Sequence, residues 1–199
     1  MRVRLYLLCA GAALLLPLPV SAQDDGPSVV VTPGKVRAFR VAVQRFADLS
    51  QPPEPERTVT LREGMEEALA FSGVLVPLDH KAFLGPEQTT ALPRAYRVDC
   101  STWTQSGADA LVEGEISSRG GELVAVYQVW DTARCVRLAR GEVRRPLTSE
   151  PRLARLLADG AVEAFTGTRG VSATEIAFIS DRTGDREVFV VDALGTSPR

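Results

Sequence analysis

Residues 107–145 read GADALVEGEISSRGGELVAVYQVWDTARCVRLARGEVRR, and this stretch limits the fold more than any other. Val112, Leu123, Val124, Ala125, Val126, Val129 and Val136 supply the apolar, β-branched content of strands, and Gly120-Gly121 and Asp131-Thr132 fall where hairpins turn. Three strands joined by two tight turns form an antiparallel meander. A meander of this size must bury at least one face, so the rest of the chain has to supply the covering layer. Glu113 and Glu115 share a strand face, and we read them as solvent-facing positions rather than a catalytic carboxylate pair.

The flanking segments supply that layer. Residues 39–46, FRVAVQRF, alternate with the period of a strand, and a proline-rich loop follows over 51–56. Thr58 or Thr60 can then cap a helix that presents Leu61, Met65, Ala68 and Leu69 on one face and ends at Ser72-Gly73. A short strand over 74–78 completes a strand-helix-strand unit with parallel strands. Asp99 or Ser101 can cap a short helix that stops at Gly107. After the meander, residues 151–165 give an apolar stripe of Leu153, Leu156, Leu157, Ala161, Ala164 and Phe165, with Ser149 as cap, Pro151 in the first turn and Gly167 as stop. The expected fold is a two-layer α/β domain over 36–170, a mixed sheet with helices on one face. Beyond Gly170, EIAFIS and EVFVVD form one further hairpin, with Ile176, Phe178, Val188 and Val190 as its apolar face; a lone hairpin is marginal in water.

The first residues are of another kind. Arg2 and Arg4, an apolar run to Leu18 and the small-residue site Val20-Ser21-Ala22 are the parts of a cleaved secretory leader over 1–22, which places the mature chain outside the cytoplasm. Pro17 and Pro19 interrupt the run, which is shorter than the roughly 20 residues of a spanning helix. Cleavage removes two of 23 basic residues against 25 acidic ones, so a formal charge of −2 becomes more negative, and nucleic acid is a poor partner. The arginines at 134, 137, 140, 144 and 145 read as a solvated sheet face. Cys9 leaves with the leader. Cys100 and Cys135 stay in an oxidising compartment, where they are candidates for a disulfide if their Cα atoms come within about 7 Å; the alternative is two separate thiols. One histidine, His80, argues against a His-based metal cluster, and no GxSxG, GxGxxG, phosphate-loop or HExxH pattern is present. The expectation is a protein without catalytic residues, metal or cofactor.

Three motifs occur in order: W-x3-G-A-D-x-L-V-x-G over 103–114, F-T-G-x-x-G over 165–170, and then IAFISDR. Together with a leader they resemble the TolB family of the Tol-Pal system. The last motif, with D-x-x-G at 192–195, is similar to the repeat that builds the blades of a TolB-like β-propeller. The resemblance implies an α/β domain over 36–170 followed, over 171–199, by the first hairpin of an incomplete propeller that the family continues to six blades. It also implies a non-catalytic periplasmic adaptor that links TolA and Pal, supports outer-membrane integrity and constriction at division, and carries its Pal site on the propeller. Val29, Val30 and Val31 resemble the mature N-terminal segment, 23–35, that engages TolA. An apolar segment between breakers can add to a partner's sheet edge or lie permanently on its own domain. Arg155 departs from the family, which often has histidine there. The rival reading is an accessory or binding domain of another exported propeller protein, an enzyme or a lipoprotein-assembly factor.

Overall fold

In the central strands, apolar residues run without interruption: Val41, Ala42 and Val43 are buried, as are Ala110, Leu111 and Val112. Such runs mark strands covered on both faces. The computed structural model describes residues 38–85, 90–92 and 98–196, all within one compact unit. The expected leader and the segment 23–35, Val29, Val30 and Val31 included, lie outside the described residues.

The main sheet has β1 (Phe39–Val43), β2 (Ala47–Asp48), β3 (Leu75–Pro77), β4 (Ala110–Arg119), β5 (Glu122–Asp131) and β6 (Val136–Pro146). Its order is β3-β1-β4-β5-β6, with β2 continuing beside β4. β1 is parallel to β3 and to β4, and β4, β5 and β6 form the antiparallel meander. The strand expected over 39–46 breaks after Val43. Val43 pairs with Val112 and Ala47 with Glu115, so one residue is surplus on the first strand. The resulting bulge swings Phe46 over Gly114, where an added Cβ would lie 2.2 Å from the ring.

Helices α1 (Pro55–Ser72) and α3 (Glu150–Thr166) lie side by side on one face. Gly64 lets them approach, since a Cβ there would sit 3.0 Å from the Ala154 Cβ. α1 begins earlier than its threonines suggest. Pro55 supplies the fixed φ and missing N–H of a first helical residue, and Thr58 and Thr60 bond within the helix, to Pro55 O and Glu56 O. Ser149 likewise makes no side-chain cap bond to α3, whose first turn is again set by proline. Both helices close on a left-handed glycine, Gly73 at φ 67° and Gly167 at φ 76°. The core between helices and sheet includes Leu61, Met65, Leu69, Ile116, Leu153 and Leu157.

Helices on one face only is corrected. The short helix α2 (Cys100–Gln105) covers part of the opposite face, where Cys100, Trp103 and Val98 pack on Ala42, Leu111 and Trp130. These positions alternate with the ones facing α1 and α3, so the central strands need cover on both sides. The final strands β7 (Glu175–Ser180) and β8 (Glu187–Asp192) form a separate two-stranded sheet. Phe178 pairs with Phe189 and Ile179 with Val188, so Ile176 and Phe178 share a face with Phe189 and Val191, whereas Val188 and Val190 lie on the other. The single apolar face expected of Ile176, Phe178, Val188 and Val190 is therefore divided between two, because this register joins even positions of β7 to odd positions of β8.

Candidate functional site

Two constructions hold the signature residues, one on the second face of the sheet and one at the junction with the hairpin. On the second face, the Asp99 side chain accepts hydrogen bonds from Ser101 N at 3.1 Å, Ser101 Oγ at 2.6 Å and Thr102 Oγ1 at 2.9 Å, fixing the start of α2 and holding its carboxyl below the ordinary range. Trp103 is then buried, edge-on to Phe83 at 5.2 Å. Gly107, at φ 86°, turns the chain so that Ala108 N donates to Trp103 O. Asp109 accepts from Arg40 N, and Thr132 Oγ1 donates to Ala108 O at 2.6 Å. The Sγ atoms of Cys100 and Cys135 are bonded, with Cα atoms 5.6 Å apart, which ties the start of α2 to the β5–β6 turn.

Glu113 is not solvent-facing. It is 2% exposed and accepts from Trp130 Nε1 at 2.9 Å; burial pushes its carboxyl up to about 7, opposed by the indole hydrogen bond. Its cross-strand partner Gln128 is fully buried, with Oε1 accepting from Arg137 Nη1 at 3.4 Å, and the Arg137 guanidinium lies 5.9 Å from the Trp130 ring centre. Glu115 is only half-buried and accepts from Leu92 N at 2.7 Å. Alternation alone could not separate the two glutamates. The signal was that Glu113 follows Leu111 by two residues, on a face that α2 covers.

At the junction, Asp159 of α3 is 3% exposed and receives Ser172 N at 2.8 Å, Ser172 Oγ at 2.6 Å and Ala173 N at 3.0 Å. Gly170 lies so close to this residue that a Cβ would be 2.8 Å from the Asp159 Cα, which accounts for the last glycine of F-T-G-x-x-G. One turn earlier on α3, Arg155 Nη1 donates to Asp192 Oδ2 at 2.9 Å. Asp192 also accepts from Thr196 N and Oγ1, and these bonds with the guanidinium hold its carboxyl at about 2. Arg152 and Glu175 add an ion pair at 3.5 Å, and Ala193 N donates to Thr174 O. The base of the hairpin is thus fastened to the helix, while Ile179 and Val188 are 72% and 70% exposed. Sequence reasoning marked Arg155 only as a departure and missed Asp159, a buried acid inside an otherwise apolar stripe. Among the described residues no cluster of three or more His, Cys, Asp or Glu side chains could hold a metal.

The chain matches the model of the TolB amino-terminal domain over residues 27–138. It belongs to the TolB family. Curated relatives include the Tol-Pal system protein TolB of Syntrophotalea carbinolica, 30% identical over 192 residues, covering 96% of this chain and 42% of that protein. The protein of the same name from Myxococcus xanthus is 27% identical over 191 residues, covering 94% and 43%. The chain therefore spans less than half the length of these TolB proteins. The crystal structure of TolB from Acinetobacter baumannii superposes with a TM-score of 0.62 at 19% identity, over 82% of this chain and 38% of that one, a likeness of fold. The chain accordingly joins a TolB amino-terminal domain by sequence to the mixed α/β architecture of a TolB relative.

Proposed function

We propose that the chain is the amino-terminal part of a non-catalytic periplasmic adaptor that joins TolA to Pal, supporting envelope integrity and constriction at cell division. The observation that carries this reading is the family match over residues 27–138, with the three motifs in order behind a leader. The α/β unit serves as a packed carrier: both faces of its central strands are covered, and its signature residues are spent on packing, turns and the hairpin junction. In this reading Val29, Val30 and Val31 engage TolA, the Cys100–Cys135 bridge holds the second-face layer in an oxidising compartment, and residues 171–199 open a propeller whose later blades carry the Pal site. The test is co-purification from envelope extracts. The full chain is expected to retain TolA but not Pal, and recovery of Pal as efficiently as by a longer TolB protein would move the lipoprotein site onto the α/β unit.

A further inference from the structure

β6 is the last strand of the main sheet, and among the described residues its outer edge has no strand beside it. It is 11 residues long and carries Arg137, Arg140, Arg144 and Arg145 against a single acid, Glu142. Pairing with β5 fixes which side each one takes. Arg140 lies opposite Gln128, Arg144 opposite Val124 and Arg137 opposite Trp130, all on the sheet face away from α1 and α3. The other face of β6 is closed by α3, where Tyr127 fills the space over Gly141 and Gly160. At about 3.4 Å per residue, the row from Arg137 to Arg144 runs for on the order of 24 Å, the length of a seven-residue strand.

Arg137 is partly engaged, by Gln128 Oε1 and the Trp130 ring, but the other two arginines of the row are not consumed by the rest of the fold. Arg140 is exposed and has no ion pair or hydrogen bond among the described residues. Arg144 is exposed and bonds only within its own strand, to Glu142 at 2.7 Å. At the start of the strand, Val136 and Leu138 are 49% and 36% exposed, so the edge offers apolar as well as charged contact. Pairing of β6 with β6 of a second copy would bring two arginine rows together, and like charges across a strand pair are destabilising. The same row favours an incoming strand of opposite charge, and only a polypeptide can complete the backbone ladder.

We propose that the outer edge of β6 receives an extended, carboxylate-rich segment of a partner protein, added to the sheet as a further strand with its acidic side chains beside Arg137, Arg140 and Arg144. The inference is independent of the TolA and Pal assignment, since it concerns the sheet edge and not the segment 23–35.

The probe is a fluorescent eight-residue peptide in which Glu alternates with Val and Thr, with a Lys-for-Glu peptide as control. Both are titrated into the full chain, and backbone hydrogen exchange is followed in parallel. The acidic peptide is expected to bind, the basic one not, with slowed exchange at alternate amides of residues 136–146. Arg140→Glu with Arg144→Glu, both exposed, should weaken binding by about ten-fold without altering the circular dichroism spectrum. A triple variant with Arg137→Glu should weaken it further; if that variant fails to fold, the double variant still decides. No binding, binding without β6 protection, or equal displacement by polyphosphate with no protected amides would overturn the proposal. So would concentration-dependent dimerisation through β6, or binding that appears only after residues 23–35 are deleted, which would assign the edge to this chain's own segment.

Discussion

Arg155 on α3 and Asp192 at the end of β8 are joined by a 2.9 Å charge-assisted hydrogen bond, with both side chains largely shielded from water, at 14% and 10% exposure. The pair couples the hairpin to the body of the molecule across a chain separation of 37 residues. Arg155→Ala should release the hairpin without unfolding the sheet, weakening its docking by about 2 kcal/mol. Hydrogen exchange should accelerate in β7 and β8 while residues 110–131 stay protected. Because the Asp192 carboxyl is held at about 2, below its ordinary 3.8, its contribution is complete above pH 4 and is lost as pH falls through 2. The docking should therefore be indifferent to pH between 5 and 8, as read from protease cleavage rates near Gly170.

Glu113 behaves in the opposite sense. Its carboxyl is raised from 4.5 to about 7 in the folded chain, so folding is most favoured below 4.5, loses stability as pH rises toward 7, and is level above that. The loss is on the order of 3 kcal/mol. Urea unfolding at pH 5 and pH 8, followed by tryptophan fluorescence, should show it. Glu113→Gln should remove most of this slope and be more stable than the natural chain at pH 8.

Gly160 faces the Tyr127 hydroxyl, which an added Cβ would approach to 2.2 Å. Gly160→Ala should destabilise the chain by about 1–3 kcal/mol. Tyr127→Phe removes the clashing oxygen, so the double variant should recover part of the loss, and a thermal-unfolding double-mutant cycle measures the coupling.

The Cys100–Cys135 bond closes a loop with a sequence separation of 35. Replacing both cysteines with serine should cost about 3–4 kcal/mol by the loop-entropy relation. The loss should be accompanied by faster exchange in α2, because the bond anchors the start of that helix to the β5–β6 turn.

The meander was legible because its three strands combine apolar alternation with glycine and aspartate turns at short range. α3 was legible because Leu153, Leu157 and Ala161 recur with helical spacing and Gly167 supplies a left-handed stop. The start of α1 was misread because Pro55, rather than a threonine, sets its first turn, whereas at α3 the cap position Ser149 and Pro151 in the first turn were legible, although Ser149 makes no side-chain cap bond. The cover on the second face was missed because α2 is only six residues long and its apolar contribution rests on Cys100 and Trp103, too few for a periodic signal. The junction was the least legible part. Asp159 and Arg155 acquire their roles only when residues 170–173 and 192–196 fold back on the helix, and no local pattern encodes that return.

Calorimetric titration of TolA into the full chain, compared with a chain lacking residues 23–33, tests the adaptor reading most directly. We predict heat of binding for the full chain, its loss on deletion, and unchanged thermal unfolding of the α/β unit in the two proteins. Equal binding with and without residues 23–33, or none by the full chain, would contradict it.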